Sequence, residues 1–463
     1  MNNLLILTAV ILLTMGYCIS CSSGSSNTNT KDKKIPEKGK LIQKVQCCKD
    51  KSVNYALYIP SHYDSSKTYP LIIAFDSHAD GVRPVQLFQN KAENFSYIIA
   101  GSNNSKNGQT WPTTENIYNI MLDDLTQKFN VDTKRIYTAG FSGGSRVASN
   151  IAIELGGISG VIGFSAGFSN IVQKINNKFD YIGIVGNADF NYNEMLQLDN
   201  WLENEKFNHY LIVFDGIHEW APENTTDDIF YWLEFCAMRK GLLPKNEVLI
   251  NTFLDKQLSD IKRFNTENNS YPEFLSYKKI IRFLNGVEDI SNYKTIHSKL
   301  EQNYSVQNKI IQLEKEFKNE QVLQQLYVKN LSEKDMRWWN DETQKINSLI
   351  DRNNAEALIY KRIYSYLSIA AYSYSHNALK KNLLEEATHY INLYCMLDAK
   401  NPETAFLQTI LLIRKTDTEA ALISLEKAID LGFNDIDRMQ NDTDIIKLSS
   451  HKEYYELIKK IKN

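Results

Sequence analysis

The apolar positions of the chain fall into short dense runs through its first half. Tyr55 to Ile59, Leu71 to Phe75, Tyr97 to Ala100, Arg135 to Gly140, Val161 to Phe164, Tyr181 to Gly186 and Tyr210 to Phe214 read as strands. Several are apolar without alternation, as strands buried on both faces are. Between them, Asn116 to Phe129, Gly144 to Leu155, Tyr192 to Lys206 and Thr226 to Arg239 carry apolar residues at three- and four-residue spacing, the period of a helix face. This alternation predicts an α/β domain over 41–245, a doubly wound and mostly parallel sheet covered on both sides. Past Lys245 the glycines thin out, and stripes at Leu254 to Phe264, Lys309 to Phe317 and Asn319 to Leu331 predict an all-α domain over 246–463.

The beginning of the chain follows neither pattern. From Leu4 to Tyr17 almost every residue is apolar, a run shorter than the roughly 20 residues a spanning helix needs and suited to an export signal. Cys18-Ile19-Ser20-Cys21 follows it, and the segment resembles a bacterial lipoprotein signal, with Cys18 standing where such signals usually carry Leu. The resemblance implies a signal peptide over 1–20, lipidation of Cys21 and attachment to a membrane of the bacterial cell envelope. The Ser-rich then Lys-rich stretch over 21–40 is too polar to pack and reads as a flexible tether.

Composition narrows the possibilities. A chain of 463 residues, 43% hydrophobic and 23% charged, can bury two cores and is too polar for a multispan membrane protein. Its 52 Lys and Arg against 55 Asp and Glu give a net charge of -3, which supplies no cationic field for nucleic acid. Of six cysteines, Cys47, Cys48, Cys236 and Cys395 lie beyond the signal, none at zinc-ligand spacing. A disulfide between the Cys47/Cys48 pair and Cys236 and a set of unpaired thiols are both open.

The strand ending at Gly140 runs into Phe141-Ser142-Gly143-Gly144 and then a helix, the setting of a nucleophile elbow. Glycines on either side of the serine let neighbouring backbones approach, and the Gly143 amide at the helix N-terminus suits an oxyanion. A serine hydroxyl needs a base and a group that orients the base. Asp189 follows the strand Tyr181 to Gly186, and His218 follows Tyr210 to Phe214, so Ser, Asp and His appear in that order after successive strand ends. Asp199 and Asp215 compete with Asp189, and His78 competes with His218.

At these residues, with Tyr58-Ile59-Pro60, Tyr69-Pro70-Leu71-Ile72-Ile73 and Val131 to Tyr137, the sequence resembles the α/β-hydrolase superfamily. Within it the likeness is to compact secreted esterases such as polyhydroxyalkanoate depolymerases and feruloyl esterases, over about Tyr55 to Met238. The resemblance implies Ser142 as nucleophile, His218 as general base and acid, Asp189 as orienting acid, no cofactor, and a small-molecule or polymer ester as substrate. Such esterases carry His-Gly after the strand that precedes the oxyanion loop, whereas here Phe75 leads into Asp76-Ser77-His78. The second oxyanion amide is then expected from Ser77 or His78, with Asp76 opposing negative charge unless turned away or paired. Asn103 in the polar loop after Ala100, Trp111 and Trp220 are candidate substrate contacts. A peptidase of the prolyl-oligopeptidase type and a silent hydrolase fold serving as a binding scaffold are the competing readings.

In the helical half, Ala387, Ile391, Tyr394 and Leu397 recur as Ala421, Leu425, Ala428 and Leu431, an offset of 34. That is the tetratricopeptide period, and the region near 355–435 resembles such helix pairs, which implies a surface for a protein partner.

Overall fold

The computed structural model of the protein describes residues 36–169, 175–352 and 354–462. The apolar run, Cys18, Cys21 and the expected tether as far as residue 35 lie outside the described residues. No helix among the described residues is long and apolar enough to cross a membrane. The last residues of the expected tether are pinned: Lys38 Nζ donates to Tyr63 O at 2.6 Å and Gly39 N to Ile59 O at 2.7 Å.

The α/β half runs β1 (Ile42–Gln46), β2 (Asn54–Tyr58), β3 (Tyr69–Phe75), α1 (Val82–Phe95), β4 (Ile98–Ser102), α2 (Trp111–Lys128), β5 (Val131–Phe141) and α3 (Gly143–Asn150). A π-helical turn at Ile151–Leu155 extends α3, and β6 (Gly160–Phe164), β7 (Asp180–Gly186), α4 (Tyr192–Asn204), β8 (His209–Phe214) and α5 (Thr226–Arg239) follow. The strands form one sheet in the order β1-β2-β4-β3-β5-β6-β7-β8. β1 and β2 join antiparallel, β2 is antiparallel to β4, and every other pairing is parallel. This is the doubly wound, mostly parallel sheet with flanking helices that the sequence predicts.

Strand alternation builds a core on each side of the sheet. Leu71, Ile73 and Phe75 of β3 face a cluster with Met121 and Leu125 of α2 and Leu198 of α4, while Ile72 and Ala74 face another with Phe88 of α1 and Phe230 of α5. Cys47 belongs to the first cluster and Cys236 to the second, so the sheet separates them. All four described cysteines are free, so of the two open readings the structure has the unpaired thiols.

The boundary expected at Lys245 does not exist as a break in packing. α6 (Glu247–Thr266), α7 (Ser270–Leu284) and α8 (Ser291–Glu301) follow α5, and Phe253, Ile280 and Phe283 join Trp232 and Phe235 of α5 in the same core. Phe253 and Phe283 stack at 5.2 Å, and Arg239 donates to the carbonyls of Arg282 and Phe283. The α/β layer therefore carries a third, helical layer of its own.

The long α9 (Tyr304–Glu333) leads to a second core. It is built from α10 (Met336–Ile350), α11 (Ala355–Lys380), α12 (Leu384–Leu397), α13 (Pro402–Arg414), α14 (Thr418–Asp430), α15 (Ile436–Asn441) and α16 (Lys452–Lys462). The recurring residues sit on matching inner faces. Ala387, Ile391, Tyr394 and Leu397 of α12 are buried, as are Ala421, Leu425 and Ala428 of α14, while Leu431 just past α14 is half-buried. α11 packs on α12 and α13 on α14 as two successive helix pairs.

Candidate active site

Three strand ends converge at the carboxyl edge of the sheet. Ser142 sits at the turn from β5 into α3 with φ 54° and ψ -119°, a left-handed conformation that a non-glycine residue holds only when its surroundings impose it. The flanking glycines explain the constraint: a Cβ on Gly140 would lie 2.1 Å from Gly144 O, and one on Gly144 would lie 2.1 Å from Phe75 O. Side chains there would push the elbow off the sheet.

His218, four residues past β8, has Nε2 3.0 Å from Ser142 Oγ and Nδ1 2.9 Å from Asp189 Oδ1. Asp189, after β7, is wholly buried, and its Oδ1 also accepts from Asn191 N at 2.8 Å. With Nδ1 donating to the carboxylate, Nε2 presents its lone pair to the serine hydroxyl. The imidazole lies between two rings, Phe141 at 4.8 Å and Phe190 at 4.1 Å, which fix its plane. The competing acids and bases point elsewhere. Asp215 accepts from Asn187 Nδ2, Asp199 faces His209, and His78 Nδ1 lies against Ser77 Oγ and the Asp76 carboxylate.

The loop after β3 resolves the question that Asp76 poses. Its carboxylate is turned into the protein, accepting Trp220 Nε1–H at 2.8 Å and the His78 amide at 2.7 Å. Burial opposes ionisation of Asp76, but the donors from His78 and Trp220 outweigh it and hold the carboxyl below its ordinary value. Its hydrogen bond to Asp76 raises the His78 imidazole above its ordinary value against burial, and Asp76, Glu403 and Asp80 add to the rise. The His78 amide is spent on Asp76 and is not available as an oxyanion donor, which corrects that part of the expectation.

Ser77 is tied instead through its carbonyl, which accepts from Asn107 N at 2.9 Å, and His78 and Lys106 form an antiparallel bridge beside it. The Asn107 side chain lies against Gly143, where a Cβ would come within 1.7 Å of Asn107 Oδ1. Gly143 is the first residue of α3, so its N–H has no carbonyl within the helix to bond.

Among the expected substrate contacts, Trp220 is buried between Phe141 at 5.4 Å and Phe164 at 4.8 Å. It is a core residue and an anchor for Asp76, not a platform for substrate. Asn103 spends its amide on Gln43 O and Asn54 Oδ1, both at 3.0 Å, and so braces the β1–β2 edge. Trp111 opens α2 and packs half-buried on the core beneath it.

The sequence reading did not single out Phe190, Asn107 or Arg362. Phe190 is adjacent to Asp189, and Asn107 lies in the polar loop already suspected, so both had a positional signal. Arg362 had none, since it comes from α11. It donates to Asn187 O in the turn that carries Asp189, forms an ion pair with Glu320 at 2.6 Å, and lies over the Tyr192 ring at 4.6 Å.

No protein-family model matches the chain, and no curated protein sequence matches it. Solved structures are similar to part of the chain at low identity.

An S-formylglutathione hydrolase from Staphylococcus aureus is 15% identical over 36% of this chain and 84% of its own, with a TM-score of 0.31. A feruloyl esterase module from Clostridium thermocellum, complexed with sinapinate, is 14% identical over 40% of this chain and 84% of its own, at 0.33. A putative dipeptidyl aminopeptidase IV from Bacteroides ovatus is 14% identical over 41% of this chain and 35% of its own, also at 0.33.

Proposed function

We propose that the protein is a serine hydrolase that cleaves carboxylic esters through an acyl-enzyme. The observation that carries this reading is the continuous relay Ser142 Oγ, His218 Nε2 and Nδ1, Asp189 Oδ1, with both links at hydrogen-bond length and the serine on a strained elbow. Ser142 Oγ attacks the ester carbonyl carbon while His218 Nε2 takes its proton. The tetrahedral oxyanion is met by the Gly143 N–H at the start of α3 and by the Ser77 N–H, the donor left in the loop once His78 is bound to Asp76. Collapse breaks the bond to the alcohol oxygen, which leaves with the proton from His218. Water, deprotonated by His218, then releases the acid and restores Ser142. Asp189 holds the Nδ1–H tautomer and offsets the imidazolium charge.

In the same reading the enzyme is exported and held to a membrane through Cys21, which rests on the residues of the leader alone. Loss of acyl label in Cys21→Ala tests that part separately.

Turnover of nitrophenyl esters from acetyl to octanoyl and feruloyl tests the catalytic reading. Ser142→Ala is expected to lower kcat by on the order of 10⁴-fold or more with folding intact. Equal turnover by wild type and Ser142→Ala would refute it.

A further inference from the structure

Outside the triad, a cleft of about 900 Å³ opens between the β8 edge of the sheet and the helices α4, α7 and α9. β8 pairs with β7 on one side only, and its free side forms the floor. Each helix wall carries an apolar pair one turn apart: Tyr192 and Leu196 on α4, Tyr271 and Leu275 on α7, Leu313 and Phe317 on α9. Pairs at this spacing normally bury against a neighbouring element. Here the three pairs line open volume, and Leu275 on α7 and Val213 on β8 remain 39% and 45% exposed. A volume of this size suits a ligand of several hundred daltons rather than a few waters.

The charges at the rim give the ligand its sign. Lys279 is bound to Asp228 and Arg282 to Glu203, so these charges are matched, while Asp199 lies 3.2 Å from His209 Nε2. Lys278, Lys309 and Lys318 form no salt bridge among the described residues, although the Lys278 charge reaches Glu203, and Asp199 and Glu314 are the acids of the lining set against them. The excess is positive.

We infer that this cleft is a binding site for an amphipathic anion, a molecule with a long aliphatic body that covers the three apolar pairs and a carboxylate or phosphate head held by Lys278, Lys309 and Lys318. The inference is independent of Ser142, because none of the lining residues belongs to the triad or the oxyanion loop.

Calorimetric titration of the full-length Ser142→Ala chain with dodecanoate, dodecyl phosphate and dodecyltrimethylammonium, each below its micellar concentration, tests it. One anion is expected to bind at one site per chain and the cation is not. The tighter of the two anions identifies the head group. Lys278→Glu with Lys318→Glu, at rim positions whose replacement does not touch the core, should weaken that binding by about tenfold or more, as loss of a charge-assisted contact does. Leu313→Asp should do the same through the apolar wall. Equal binding of cation and anions, binding unchanged by both variants, or no binding of either anion would overturn the inference.

Discussion

Arg362 of α11 donates to the backbone carbonyl of Asn187, two residues before Asp189 in the same turn. Its guanidinium is also held by both carboxylate oxygens of Glu320, at 2.6 to 3.0 Å, with the two side chains 7% and 1% exposed. The turn that presents Asp189 is therefore fixed from outside the sheet, by the helical half. This gives that half a role in the α/β site.

Arg362→Met leaves the Glu320 carboxylate buried without its partner, and unfolding in urea should show a loss of about 3–5 kcal/mol. Adding Glu320→Leu removes the stranded charge and should recover most of that loss. The double variant should still turn over esters with a lower kcat than wild type and a KM close to it, since the Asn187 carbonyl remains unanchored. Wild-type kcat in the double variant would contradict the clamp.

Asp76 fixes the loop that carries Ser77. Asp76→Ala frees the His78 amide and the Trp220 indole together, and kcat should fall by about 10²–10³-fold, the cost of misplacing one oxyanion donor. KM should change little. Trp220→Phe removes one of the contacts to Asp76 and should cost less than Asp76→Ala. A larger loss in Trp220→Phe than in Asp76→Ala would show that the loop is not held through the carboxylate.

Glu93 ties α1 to the turn after β2. Burial opposes its ionisation, but donors from Ser61, Tyr58 and His62 hold its carboxyl down to about 2, from an ordinary 4.5. A depressed carboxyl stabilises the fold above the unfolded value, and that contribution fades as pH falls from 4.5 towards 2. Glu93→Gln should therefore be less stable than wild type at neutral pH and lose less on acidification across this window. Parallel stability curves for the two proteins would contradict the assignment.

The cysteines should separate by reactivity. Burial, with the Asp124 charge, pushes the Cys47 thiol up to about 12, and burial likewise raises Cys236. Cys48 is exposed. An aromatic disulfide reagent at pH 8 should label Cys48 rapidly and reach Cys47 and Cys236 only after denaturation. Rapid labelling of Cys47 in the folded protein would contradict its place in the core.

Much of the α/β half was legible because its strands are dense apolar runs: each of the seven expected strands overlaps an observed one. β1 was missed because Ile42–Gln46 is a polar edge strand with little to bury. α1 was missed because Arg83-Pro84 follows Gly81, although proline in a first turn is compatible with a helix. Ser142, Asp189 and His218, which the structure brings within hydrogen-bond distance of one another, each follow their own strand end. Trp220 and Asn103 were misread because an aromatic ring or an amide near the site carries no mark of which way it faces. The boundary at Lys245 was drawn where composition changes, whereas the packing of Phe253 and Phe283 on α5 carries the first core on through α8. The Arg362 contact spans 175 residues, and nothing local announces it.

In the proposed reaction Ser142 is a nucleophile activated by His218. The direct measurement is the intact mass of the folded protein after incubation with a fluorophosphonate, followed by peptide mapping. One phosphonyl group per chain is expected, on Ser142, with none on Ser142→Ala and much slower labelling of His218→Ala. A folded wild-type chain that stays unlabelled, or carries the group on another residue, would contradict it.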